Sequence, residues 1–211
     1  LIHELQKERG LTAGYLASGG TKFRSELASQ RRLSDAKLNE LQSSYQSAQN
    51  ASFTPQFISP VRAGMQMIAK LQNTRSQIDS QSLTTPEAIG FYSKSIGHYL
   101  KGISAVSGEG SDARLSALSG AFGYFLNAKE LAGQERAVVN GILARNEAIS
   151  QDLFMRWNRL FFGQDTLLES FRALADEGTV ALFDRTVTGS AVDSVREIRE
   201  GVRTHAQRGE F

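Results

Sequence analysis

Glycine and proline cut this chain into helix-length pieces, and no other feature limits its fold so strongly. Gly19-Gly20 closes a first apolar-periodic stretch at about Ser18. A second runs from about Lys22 to Asn50 and stops at Phe53-Thr54-Pro55. A third is expected from Ser59-Pro60 to about Asp79. "TTPEAI" starts a fourth: Thr85 reads as the cap, Pro86 suits the first turn and Glu87 complements the helix dipole. That helix is expected to reach about Val106, where "SGEGSD", 107–112, reads as a turn. A long helix follows over about 112–145, then shorter ones at 149–162, 165–176, 179–187 and 190–208, separated by Gly163, Gly178 and Gly189. No segment shows convincing strand alternation. The chain is therefore read as all-α, an up-and-down antiparallel bundle fold, expected as two packed four-helix-type bundles sharing long helices.

Composition removes several function classes. The 24 basic residues nearly balance the 22 acidic ones, a formal charge of +2. Nucleic-acid binding calls for a clustered basic patch, and the nearest thing is Arg31-Arg32, so no nucleic-acid partner is expected for this fragment. There is no cysteine, hence no disulfide or thiol chemistry. His3, His98 and His205 belong to no HExxH or Glu-x-x-His pattern, and no P-loop or GxSxG occurs. No metal, cofactor or catalytic residue is assigned, and no enzyme is expected. No run approaches 18 apolar residues, the length a bilayer span requires. Leu1, Ile2 and Leu5 are already in helical register, which reads as a fragment cut from a longer protein.

One residue sits oddly in this pattern. Along "HELQKERGLTAGYL", 3–16, a helix puts Ile2, Leu5, Arg9, Thr12, Ala13 and Leu16 on one face. Arg9 falls near the middle of that stripe, with no acid in it. The motif recurs: "KERGLTAGYL" at 7–16 aligns with "QERAVVNGIL" at 134–143 with four identities, Glu8/Glu135, Arg9/Arg136, Gly14/Gly141 and Leu16/Leu143. On the long helix Arg136 shares a face with Leu118, Phe125, Ala132 and Leu143, and Lys129 lies one heptad earlier on the same side. Glu8 and Glu135 each point about 100° away from the neighbouring arginine, and adjacent helix residues do not pair. A buried charge needs a partner. Three readings stay open: arginines that snorkel or meet acids of other helices, arginines that fork onto a small planar oxyanion, and an interface role. Gly10, Ala13 and Gly14, with Ala132, Gly133 and Ala137, would let backbones approach closely. The aromatics Phe122, Tyr124, Phe125, Trp157, Phe161 and Phe162 sit at core spacing, and "FGYF" beside Lys129 is a candidate pocket wall.

"LIHELQKERGLTAGYLASGGTKFRSELASQRRLSDAKL" resembles the opening of the NIT domain, the nitrate- and nitrite-sensing module of bacterial receptors. "NAKELAGQERAVVNGILA", 127–144, resembles that family's second motif, and "EAIGFYSKSI", 87–96, extends the likeness. The resemblance implies one all-helical sensor domain over residues 1–211, joined to outputs such as chemoreceptors, histidine kinases, cyclic-nucleotide enzymes or an RNA-binding antiterminator. It implies that nitrate or nitrite is held by arginines of the two motifs, Arg9 and Arg136 by position, with Thr12 and Lys129 as possible pocket residues. Gln6, Glu8, Gln134 and Glu135 are expected to orient or pair. It further implies a homodimer and a periplasmic or extracellular domain of an inner-membrane receptor, attached to the membrane through segments outside this fragment; a cytoplasmic sensor is the alternative. The competing functional reading is a structural or partner-binding helical module, whose arginines form internal or dimer-interface salt bridges with acids such as Glu8 or Glu135.

Overall fold

The structure is a computed structural model that describes residues 1–47, 53–106, 112–145 and 149–208, and the backbone alone at 141, 143–145 and 205–208. The elements it describes are α-helices. They are α1 (Ile2–Ala17), α2 (Arg24–Ser47), α3 (Pro55–Ile68), α4 (Leu71–Asp79), α5 (Thr85–Ala105), α6 (Ala113–Arg145), α7 (Gln151–Leu174), α8 (Glu177–Thr186) and α9 (Ser190–Arg208). The all-α bundle fold read from the punctuation is what the chain adopts.

The boundaries show which local signals decided. Gly19 and Gly20 take φ of +60° and +77°, and the Gly20 amide donates back to the Tyr15 carbonyl, closing α1 as expected. Residues 48–50 of the expected second helix lie outside the described residues, as do 107–111 of the expected "SGEGSD" turn. Asp112 caps the start of α6, its carboxylate accepting the amides of Arg114 and Leu115. The third helix differs from expectation. It starts at Pro55, carries Pro60 inside it, and breaks at Ala69-Lys70 into α3 and α4. Pro60 is the sixth residue of α3, so the Gln56 carbonyl goes without its usual donor four residues on. Thr84, not Thr85, caps α5: its hydroxyl accepts the Glu87 amide and the Glu87 carboxylate accepts the Thr84 amide.

Gly163 does not separate two helices, since α7 runs straight through it. A Cβ there would come within 2.8 Å of Leu131 Cδ1, so this glycine admits the side chain of α6 rather than breaking α7. Gly14 has a similar local reason. A Cβ there would meet the Phe23 ring at 2.7 Å, and Phe23 itself takes φ of +64°. Among the other small residues expected at close contacts, Gly10, Ala132 and Ala137 are exposed.

The chain divides into two compact units, Leu1–Gly110 and Ser111–Phe211. The division falls between α5 and α6, so each helix lies within one unit. In the first, α1 packs on α2 and α5, and α3 packs on α5. Its core includes Leu5, Leu71, Ile78, Tyr92 and Ile96. In the second, α6 packs on α7, around Val138, Val139, Ile142, Trp157, Leu160 and Val202.

Candidate functional site

The inward face of α1 is Leu5, Glu8, Arg9, Thr12 and Tyr15. It is rotated from the expected stripe: Ile2, Ala13 and Leu16 are only half-buried, and Glu8 is buried completely. The acid absent from the stripe in sequence thus sits inside the unit beside Arg9. Arg75 of α4 grips it with both prongs, Nε to Oε1 at 2.8 Å and Nη2 to Oε2 at 2.9 Å. The Tyr92 hydroxyl of α5 donates to the same Oε1 at 2.8 Å. Arg31 of α2 lies 4.0 Å from it, and its Nη1 donates to Asp79 at 2.9 Å. Arg75 Nη1 also donates to Asp35 at 2.6 Å. Burial opposes the charge on Arg75, yet Glu8 and Asp35 hold it protonated beyond the ordinary arginine range. Burial, then the negative charge of Glu8, raises the Tyr92 phenol well above its usual value, so it remains a donor.

Arg9 is 6% exposed, and its Nη1 donates to the Ser93 hydroxyl at 2.8 Å. Thr12 is fully buried one turn away. Its hydroxyl makes no well-formed hydrogen bond, although it lies close enough to Tyr92 to favour the phenolate slightly. Arg9 and Thr12 therefore do share a buried face, as the sequence reading expected.

The second motif behaves differently. The α6 face turned inward carries Ala121, Ala128, Glu135, Val138, Val139 and Ile142. Glu135 is 5% exposed, whereas Arg136 is exposed and Lys129 half-buried. The expected apolar burial of Arg136 is corrected: the heptad 121, 128, 135, 142 turns inward, and its neighbour points about 100° off that face. Leu143 lies outside the described side chains. Glu135 is gripped by Arg199 of α9, Nε to Oε1 at 2.8 Å and Nη2 to Oε2 at 2.5 Å. Trp157 Nε1 donates to Oε1 at 3.1 Å and Gln164 Nε2 to Oε2 at 2.8 Å. Burial alone would raise the Glu135 carboxyl; Arg199, Gln164 and Trp157 together hold it below its ordinary value. The Arg199 guanidinium also lies 4.6 Å from the Phe161 ring centre, and Phe161 stacks on Trp157. Of "FGYF", Phe125 packs against Phe171 and Phe183, while Phe122 and Tyr124 are exposed.

Thus Glu8 and Glu135 serve Arg75 and Arg199, not the arginines beside them. The expectation that both would pair is met by partners with no local signal, 67 and 64 residues downstream. The hint was present in the repeat, where the glutamates match as well as the arginines. Among the described residues no group of three or more His, Asp or Glu could hold a metal.

Residues 1–211 match the profile of a family described as nitrate and nitrite sensing. The nitrate regulatory protein of Klebsiella oxytoca is 27% identical over 211 residues, covering 100% of this chain and 53% of that protein. The solved structure of the NasR transcription antiterminator matches with a TM-score of 0.86 at 27% identity, covering 94% of this chain and 53% of that one. The chain spans about half the length of the curated relative it matches. These relatives overturn the expected periplasmic or extracellular placement in an inner-membrane receptor. An antiterminator acts on transcription, which proceeds on the inner side of the membrane. No helix among the described residues is long and apolar enough to cross a membrane.

Proposed function

The chain belongs to the NIT family, nitrate and nitrite sensing, and from that premise we propose that it is the ligand-receiving, non-catalytic part of a longer nitrate- or nitrite-responsive regulator. Arg9 with Thr12 in the first unit, and Arg136 with Lys129 in the second, are the residues assigned to anion recognition, and residues 1–211 together make up the sensing domain. The observation that carries the reading is Arg9 itself, a guanidinium only 6% exposed on the inward face of α1, one turn from the fully buried Thr12. A planar guanidinium in that setting matches a planar oxyanion in shape and charge. Binding acts on the output by favouring one of two helix arrangements, to the extent that affinity differs between them. The sensor works as a homodimer in this reading.

Thermal unfolding with nitrate, nitrite, chloride and sulfate tests it. A ligand at a hundred times its dissociation constant adds about 2.7 kcal/mol, or about 5–10 °C at this chain length. The expected result is a rise selective for nitrate or nitrite, lost in Arg9→Ala and in Arg136→Ala. An equal response to all four salts sinks the proposal.

A further inference from the structure

The same device occurs once in each unit, directly beside each motif arginine. A glutamate on the inward face of α1 or α6 receives a two-pronged guanidinium from a distant helix, Arg75 for Glu8 and Arg199 for Glu135. An aromatic donor completes each grip, the Tyr92 hydroxyl in one and the Trp157 indole in the other. The partner helices and aromatic types differ, so what recurs is the geometry around the glutamate. The Glu8 pair is buried on both sides and the Glu135 pair on the glutamate side, with Arg199 20% exposed; ion pairs taken out of water contribute little net stability compared with apolar packing, and their best-attested use is to fix register. Here the quantity to be fixed is rotation. Neighbouring helix residues are separated by about 100°, so pinning a glutamate pins the direction of the arginine that follows it. An apolar residue at position 8 or 135 would tolerate small rotations of the helix. A carboxylate with three or more directed bonds does not.

Resting on the sensing function proposed above, we propose that Glu8 and Glu135 are positioning residues: each clamp sets the rotation of its own helix, α1 or α6, and through it the direction of the motif arginine that follows, Arg9 or Arg136. The clamps touch no ligand and act through the adjoining arginine.

Calorimetric titration of nitrate into the 211-residue chain tests this, with each variant checked for native helicity. Arg75→Lys keeps the charge but loses the fork. Tyr92→Phe keeps the ring and drops one bond to Glu8, and serves if Arg75→Lys does not fold. Glu135→Gln keeps shape and loses charge. Ile78→Val, one turn beyond Arg75 on α4 and wholly buried, loosens the same helix without touching the clamp. The expected result is about tenfold weaker nitrate binding in Arg75→Lys and Glu135→Gln, the scale on which outer partners of metal ligands act, with Ile78→Val unchanged. Parent-like affinity in the folded clamp variants, or an equal loss in Ile78→Val, overturns the clamp while leaving the sensor. A parent chain that binds neither nitrate nor nitrite overturns the sensing reading and the clamp with it.

Discussion

Glu135 shows how much a single buried carboxylate depends on its surroundings. Taken out of water alone it would protonate, but Arg199, Gln164 and Trp157 reverse the penalty and hold its proton affinity below the ordinary 4.5. A carboxyl depressed in the folded state adds stability above its unfolded value. That stability is lost as pH falls through the folded value. Comparing parent with Glu135→Gln in urea should therefore show a gap at about pH 7 that narrows towards about pH 3; a constant gap would mean that the carboxylate's charge is not what Arg199 holds. Arg9 was legible in sequence as a charge on an inward face because the anomaly is local to one helix. Glu8 and Glu135 were legible only as repeated letters. Their burial follows from which way α1 and α6 are rotated, and that depends on what packs against them.

Helix ends obey nearer rules. Gly19-Gly20, Asp112 and Gly189 stop or start helices by backbone geometry and capping within a few residues, so they read directly. The doubled threonine before Pro86 is a case where two adjacent residues carry the same signal, and the reach of Glu87 selects Thr84. Replacing Thr84 by alanine should cost about 0.5–2 kcal/mol in urea unfolding, and Thr85→Ala should fall within about 0.5 kcal/mol of parent, as a surface change does. The reverse order would return the cap to Thr85. Gly163 went the other way. A glycine in mid-pattern looks the same in sequence whether it breaks a helix or admits a neighbour, and only Leu131 of α6 distinguishes the two.

Two compact units, each with its own buried apolar residues, underlie the one family match across residues 1–211. A unit with its own core is able to fold alone. Residues 1–110 expressed separately should be helical and melt cooperatively. In that fragment Arg75→Ala should cost about 3–5 kcal/mol, because buried Glu8 loses both prongs of its guanidinium and keeps only the Tyr92 hydroxyl and Arg31 at 4.0 Å. A fragment without a cooperative transition would show that the first unit's core is insufficient by itself. The helical class, most helix limits and the inward position of Arg9 come from interactions spanning a few residues along the chain, which is why periodicity and punctuation reveal them, whereas Arg136 is exposed. The partners Arg75, Tyr92, Trp157, Gln164 and Arg199 come from contacts between residues 22 to 84 positions apart. No pattern of spacing encodes these contacts. They exist because packing chose one rotation of each helix and then had to satisfy the carboxylate that rotation buried.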